Sequence, residues 1–347
     1  MISKWPVVNL VDWVGNACAS LRWEGNSQIP VSVTFPSRQK NTSYLFSPRS
    51  AWFDYLAHEC RDQPVITFLI NTLGKLSFFL GIDKTVFVGN YPISTSIWSI
   101  EQENELLRIV NEMRQLYPSY YIGIRNLLPH RHPALIAQLK SLGYYGIPSR
   151  VIYEFDLRGE VPQIPSHLKR DIALLKKRNL EVEIKAGLDR DSLMRIQDLY
   201  QKIYLDKHSL LNPQYTQKFF DDIVNRGTMC CLLIRNPSGQ ICSFALLQAT
   251  NQMLTVPALG YDQSMDLDGS YRVLFAAIYS HAKNKRALLN YSSGAGDFKR
   301  KRGGTAHLEY TYLASPIQGN SIQKYILKMV ANKCLTIKAE DLIRFGA

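Results

Sequence analysis

Four consecutive cations, Lys299-Arg300-Lys301-Arg302, sit near the C-terminus between two strand-like runs. Leu288-Leu289-Asn290-Tyr291 is apolar and stops at the small-residue turn Ser292-Ser293-Gly294-Ala295-Gly296, which Asp297 and Phe298 follow. Gly303 and Gly304 close the basic segment, and Leu308-Glu309-Tyr310-Thr311-Tyr312-Leu313 alternates as a strand does. A turn anchored by strands at both ends fixes where its cations point. Cations held in this way suit the oxygens of a phosphate-rich ligand. A solvated basic turn is the plainer alternative.

The formal net charge of +12 points the same way, towards RNA, anionic lipid or a phosphorylated small molecule as partner. A content of 46% hydrophobic and 20% charged residues is that of a soluble globular chain, and 347 residues predict two domains. Cys18, Cys60, Cys230, Cys231, Cys242 and Cys334 form no Cys-x-x-Cys pair and no His/Cys set with zinc spacing, so reduced thiols and no metal are expected. Met1–Trp13 carries Lys4, Pro6, Asn9 and Asp12, unlike a signal peptide. In the most apolar stretch, Thr72-Leu73-Gly74-Lys75 reads as the turn of a hairpin joining strands Val65–Asn71 and Leu76–Ile82 rather than part of a membrane span. A cytoplasmic protein without a transmembrane segment is expected.

The elements around the basic segment recur earlier in the chain. Residues 1–50 read as irregular, with short strands interrupted by Pro30, Pro36 and Pro48, and a short helix follows at Trp52–Cys60. Strand Thr85–Gly89 then leads to a helix opened by Ser99 and Gln102, a capping box, and carrying the apolar stripe Ile100, Leu106, Leu107, Val110, Met113. Strand Tyr120–Arg125, helix His132–Leu142 ended by Gly143, and strand Val151–Leu157 follow. The basic helix Leu168–Arg178 comes next, its charges read as a solvated face. Strand Leu254–Tyr261, helix Ser270–Lys285, strand Ala287–Tyr291 and strand His307–Leu313 repeat the earlier order. The predicted organisation is an N-terminal segment 1–50, a first domain 51–158, a basic connector 159–182, a second domain 183–316 and a helical C-terminal extension 317–347.

A doubled module of this order resembles the GNAT acyltransferase superfamily. It is most similar to the tandem form of the Fem peptidoglycan-bridge aminoacyltransferases and the BioF2-like acetyltransferases. Four segments carry the likeness: Leu139–Pro148 ahead of its strand, the basic helix Leu168–Arg178, Gly260-Tyr261-Asp262 with the helix Tyr271–Ala282, and Phe298-Lys299 with Gly303. The resemblance implies an α/β (α+β) fold of two GNAT-like mixed-sheet domains in tandem, transferring an activated acyl group onto an amine.

In that family the donor is acyl-CoA or aminoacyl-tRNA, a co-substrate rather than a permanently bound cofactor. A GNAT pyrophosphate cradle is a glycine-rich loop whose N–H groups face the phosphates. The corresponding loop here, Asp262 to Ser270, has one glycine, Gly269, and three carboxylates, Asp262, Asp266 and Asp268, which repel a pyrophosphate. Aminoacyl-tRNA is thereby favoured. Transfer from acyl-CoA or a carrier protein is the alternative, and a non-catalytic RNA- or anion-binding module a third reading. Donor phosphates are assigned to Lys299, Arg300, Arg302 and Arg272, the last of which pairs with Asp268 on a plainer reading. Asp262 is the candidate for orienting or deprotonating the amine. Asp297 either supports Lys299, accepts a proton or caps a helix. Tyr271 and Ser292 are candidate contacts of the acceptor, a small-molecule or peptide amine. By resemblance, backbone N–H groups of Leu254–Tyr261 serve as oxyanion donors.

Overall fold

The computed structural model describes residues 8–334 except 38, 40, 160–163, 251 and 264–268, so the loop bearing Asp266 and Asp268 and the last residues of the C-terminal extension lie outside the described residues. The first half contains α1 (Leu10–Trp13), β1 (Ala19–Glu24), β2 (Ile29–Thr34), a π-helical turn (Ser50–Asp54), α2 (Tyr55–Glu59) and α3 (Pro64–Phe79). It continues with β3 (Thr85–Val88), α4 (Glu103–Leu116), β4 (Tyr121–Leu127), α5 (Pro133–Ser141) and β5 (Tyr145–Asp156). The second half begins with α6 (Ser166–Lys177), β6 (Glu181–Lys185), α7 (Arg190–Gln201), a second π-helical turn (Lys202–His208), α8 (Gln217–Asn225), β7 (Cys230–Arg235) and β8 (Ile241–Thr250). It ends with β9 (Met253–Thr255), β10 (Leu259–Tyr261), α9 (Ser270–Asn284), β11 (Leu288–Asn290), α10 (Gly296–Arg300), β12 (Thr305–Ala314) and α11 (Ser321–Cys334).

Local chemistry explains several of these boundaries. The Ser99 amide donates to Gln102 Oε1 at 2.8 Å ahead of α4, closing the expected capping box. α4 then buries Leu106, Ile109, Val110 and Met113 on one face. Gly143, at φ +83°, takes the left-handed conformation that ends α5.

The strands form one mixed sheet in the order β1-β2-β3-β4-β12-β5-β11-β9-β8-β7-β6, with β10 attached to β8. Its two halves are built alike. β3 and β4 are parallel and joined through α4, as β9 and β11 are parallel and joined through α9. The last strand of each half is then exchanged: β12 lies antiparallel on β4, and β5 lies antiparallel on β11. These two exchanged strands pair with each other along the sheet centre, from Thr305↔Glu154 to Leu313↔Tyr145. The α/β class with a mixed sheet is as expected.

Three segments depart from the sequence reading. The hairpin expected over Val65–Ile82 is a single helix, α3, with Pro64 at its first turn and Gly74 packed so closely that a Cβ there would sit 3.1 Å from Phe53 Cβ. A helix formed because Ile70, Gly74 and Ser77 recur on one face, and that face is the buried one. The strand expected over Leu254–Tyr261 is broken into β9 and β10 at Val256-Pro257-Ala258, where Pro257 has no N–H for a ladder. The N-terminal segment is not irregular throughout, since β1 and β2 form a hairpin whose inner strand pairs with β3.

Gly260 allows α7 to approach β10, because a Cβ there would stand 2.5 Å from the Phe244 ring and 2.8 Å from the Leu199 carbonyl. Gly260→Ala is expected to cost about 1–3 kcal/mol through overpacking, read as a lower denaturation midpoint at unchanged m-value.

Candidate active site

The parallel ladder between β9 and β11 ends at Thr255 and Asn290, and a cavity of about 560 Å³ opens where the two chains part. Val256 and Pro257 line one side, and the turn Ser292–Ala295 lines the other. Tyr44, Tyr55, Tyr200, Tyr204 and Tyr215 supply aromatic walls. Burial pushes the phenols of Tyr200, Tyr215 and Tyr291 well above their ordinary value, so they remain protonated.

Arg125, Arg150 and Lys299 also line the cavity, and no carboxylate is among its lining residues. Arg125 projects from β4 and donates to the Leu45 carbonyl at 2.5 Å and to Asn90 Oδ1 at 3.0 Å. Burial, and then the neighbouring Arg150 cation, bring its pKa down to about 10, which leaves it charged at neutral pH. Arg150, on β5, donates from Nε to Glu309 Oε2 at 2.6 Å and from Nη1 to Ser292 Oγ at 3.4 Å. Burial opposes its charge, but Glu309 more than offsets this and its pKa rises. Its Nη2 is buried without a partner among the described residues. The cavity is thus built to receive negative charge.

Lys299 is 1% exposed, and its Nζ donates to the carbonyls of Tyr291, Ser292 and Ser293 at 2.8, 3.2 and 2.7 Å. Three acceptors match the three donors of an ammonium group. The rings of Tyr153 and Tyr291 flank the same nitrogen, at 5.4 and 5.0 Å. Burial, and after it the Arg150 cation, pull its pKa well below that of an ordinary lysine. The turn that it gathers is conformationally unusual, with Ser292, Gly294 and Ala295 all in the left-handed region at φ 56°, 78° and 49°. In a trans peptide the N–H points opposite to the C=O. The Ser292, Ser293 and Gly294 N–H groups therefore point away from Lys299. The first goes to Asn290 Oδ1 at 2.9 Å, and Ser293 and Gly294 are among the residues that line the cavity.

Of the sequence candidates, Lys299, Tyr271 and Ser292 line this cavity, whereas Asp262, Asp297, Arg272, Arg300 and Arg302 do not. Arg302 is 5% exposed, lies over the Phe298 ring and donates from Nε to Asp171 Oδ2 at 2.5 Å. Arg272 donates to the other oxygen of Asp171 at 2.7 Å. Asp171 is fully buried between them, tying α6 to α9 and to the end of α10. Arg300 pairs with the exposed Asp297 and donates to the Tyr153 hydroxyl at 2.8 Å. Of the four cations, Lys301 alone is classed as exposed. Asp262 is 6% exposed and pairs with Arg195 of α7. On the strand expected to supply oxyanion donors, the Val256 N–H is given to the Asn290 carbonyl.

Arg125, Arg150 and the tyrosine walls were not singled out from the sequence. A signal was present: Arg125 interrupts the apolar strand Tyr121-Ile122-Gly123-Ile124, and the chain holds 19 tyrosines. His130 and His132, flanking Arg131, line a second cleft of about 490 Å³ together with Glu154 and His307. His130, Glu154 and His307 bring potential metal-ligand atoms within 4.8 Å of one another. The two imidazoles stack at 4.0 Å with planes 28° apart, and the other Glu154 oxygen pairs with Arg131 at 2.5 Å. Both Nε2 atoms face one Glu154 oxygen, at 3.1 Å from His130 and 3.6 Å from His307.

No protein-family model matches the chain, and no curated protein matches it by sequence. Among solved structures, the C-terminal domain of a protein described as a lysylphosphatidylglycerol synthetase, from Agrobacterium fabrum, is similar at 11% identity and TM-score 0.54, covering 91% of this chain and 89% of that one. L-PGS from Bacillus licheniformis is similar at 9% identity and TM-score 0.53, covering 92% and 90%. A conserved protein of unknown function from Bacteroides thetaiotaomicron is similar at 10% identity and TM-score 0.50, covering 88% and 89%. At these identities the likeness is one of fold, and it extends over nearly the whole chain.

Proposed function

We propose that the cavity between β9 and β11 is an acyl-transfer site, at which an activated acyl or aminoacyl ester is attacked directly by an amine. The observation that carries this reading is the Lys299-gathered turn, whose Ser293 and Gly294 line a cavity free of carboxylates and whose N–H groups face away from the ammonium. Such donors, fixed before the substrate arrives, suit the oxyanion that forms when an acyl carbonyl is attacked. The amine nitrogen bonds to the carbonyl carbon, the ester C–O or thioester C–S bond breaks, and the amine proton ends on the leaving oxygen or sulfur. On this reading Arg150 and Arg125, which line the cavity, hold the anionic part of the donor. Lys299 acts here through the turn, a positioning role, in place of the phosphate grip expected of it from the sequence. Arg272 and Arg302 set the position of α10 through Asp171, and Asp262 anchors α7 through Arg195.

The module order 51–158 and 183–316, the +12 charge and the exposed Lys169, Arg170, Lys176 and Lys177 of α6 support an aminoacyl-tRNA donor on a tandem GNAT-like frame. The similar fold of a domain named for lysylphosphatidylglycerol synthesis agrees with an aminoacyl group as the one transferred. Acyl-CoA is the alternative donor. A thermal-shift and mass-spectrometry screen against charged tRNAs and acyl-CoAs separates them. Binding of charged tRNA with a steep salt dependence supports the first donor, and stabilisation by acyl-CoA alone supports the second.

Arg150 provides a mutational check. Alone, Arg150→Met leaves Glu309, 1% exposed, with an unpaired buried charge, so the informative variant is Arg150→Met with Glu309→Gln. It is expected to stay folded and to lose about 10–100-fold in kcat/KM, the worth of one charge-assisted hydrogen bond.

A further inference from the structure

α3 is turned inside out for a helix on a globular protein. Its buried residues are Ile70, Gly74 and Ser77, while large apolar side chains face outward. Phe79 is 83% exposed, Val65 72% and Phe68 70%, with Ile66, Leu69, Leu73 and Leu76 also exposed. At 100° per residue these positions fall within roughly one half of the helix surface. Within its sixteen residues α3 has one charged side chain, Lys75, at the edge of that face.

α11 repeats the pattern. It buries Leu327 and Ala331 and exposes Ile322, Tyr325, Met329 and Val330, with Lys324 and Lys328 beside them. Neither helix contains a carboxylate. The two meet where Gln323 Nε2 donates to the Leu80 carbonyl at 2.8 Å, just past the end of α3. Each helix thus presents an outward apolar face with lysines at its margin. An exposed apolar patch of this size on a soluble chain marks a docking surface.

We infer that the outward faces of α3 and α11 dock on the surface of an anionic phospholipid bilayer. Charge complementarity selects this occupant: apolar side chains on one face, lysines along its flank and no carboxylate in either helix are the pattern of a helix lying in the headgroup boundary. The net charge of +12 draws the whole chain towards such a surface. Length agrees with lying in the interface, because sixteen residues reach only about 24 Å against roughly 30 Å of hydrocarbon. No helix among the described residues is long and apolar enough to cross a membrane. The placement also matters for the cavity. α3 packs through Gly74 on Phe53, next to Trp52 and Tyr55, which line the cavity wall. A bilayer under α3 would therefore lie close to the cavity, though docking does not depend on the reaction proposed there.

The test is vesicle flotation of the full chain with phosphatidylcholine liposomes and with liposomes of equal parts phosphatidylcholine and phosphatidylglycerol. Flotation with the phosphatidylglycerol vesicles is expected, at least tenfold weaker on phosphatidylcholine alone. Phe68→Ser/Leu69→Ser/Phe79→Ser should reduce partitioning at least tenfold at an unchanged melting temperature, and Lys75→Glu/Lys324→Glu/Lys328→Glu should remove the preference for the anionic lipid. Three results overturn the inference. The wild-type chain fails to float with either vesicle, the serine variant floats as well as wild type, or light scattering shows a dimer that the serine variant converts to a monomer. The last would make a second copy of the chain the occupant of this face.

Discussion

Lys299→Met is expected to lower kcat/KM for acyl transfer by about 100–1,000-fold, the range seen when a fixed oxyanion donor is lost. Methionine keeps the length of the side chain and removes the ammonium. The Tyr291, Ser292 and Ser293 carbonyls then lose their shared donor. With three residues of the turn in the left-handed region, two of them not glycine, the Tyr153 N–H on the Ser292 carbonyl at 3.1 Å is the one contact left on these carbonyls among the described residues. The Gly294 N–H swings with the Ser293 carbonyl, whereas the Ser293 N–H shares a peptide with the Ser292 carbonyl that Tyr153 still holds. The same loss leaves the carbonyl of the buried Tyr291 unsatisfied, at about 1–3 kcal/mol when no water replaces the donor, so activity is to be read well below the melting transition of the variant. Lys299→Arg is not expected to rescue, because a planar guanidinium cannot direct three N–H groups at three converging oxygens as an ammonium does. The fall should appear in kcat with donor affinity nearly kept. A fall in affinity alone would return Lys299 to the phosphate-binding role expected of it from the sequence.

Asp171→Ala is expected to be the most destabilising single change in the second half, at about 3–5 kcal/mol. Its carboxylate is fully buried and satisfies Arg272 on one oxygen and Arg302 on the other. Arg302 is 6% exposed on its side chain, so removing the carboxylate strands a buried guanidinium between α6 and α10. Arg272 keeps more access to water, at 38%, and accounts for the smaller share. Differential scanning calorimetry should show the loss. Replacing the whole group, as Asp171→Leu/Arg272→Met/Arg302→Met, should recover most of it, because the charge is removed with its partners. Equal losses in the single and triple variants would mean that the site is held by shape and not by charge. Activity should fall further than stability predicts, since α10 carries Lys299 and is positioned by Arg302.

Much of the frame was legible in the chain. The capping box at Ser99 and Gln102, the stripe of α4 and the strand–helix–strand order of both halves are local patterns, and each was found where periodicity placed it. What periodicity does not carry is the partner. β12 lies between β4 and β5, so the contact of Arg150 with Glu309 spans 159 residues, and alternation along either strand says only which face each side chain takes. The basic segment shows the same limit. Its four cations are adjacent in sequence, yet the short helix α10 sends Lys299 into the turn, Arg302 onto Asp171 and Arg300 onto Tyr153 and Asp297. α3 misled for a different reason. Its large apolar residues face outward, where a reader of binary patterns expects polar ones.

The central claim is that the carboxylate-free cavity between β9 and β11 transfers acyl groups. Its most direct measurement is transfer itself: purified protein incubated with isotope-labelled aminoacyl-tRNAs or acyl-CoAs and a pool of small amines, short peptides and phospholipid vesicles, with label followed by mass spectrometry. The expected result is protein-dependent movement of label from one donor class to an acceptor, lost in Lys299→Met and weakened in the Arg150→Met/Glu309→Gln pair. Donor consumption at the protein-free rate with both classes, or transfer undiminished in Lys299→Met, would contradict the account.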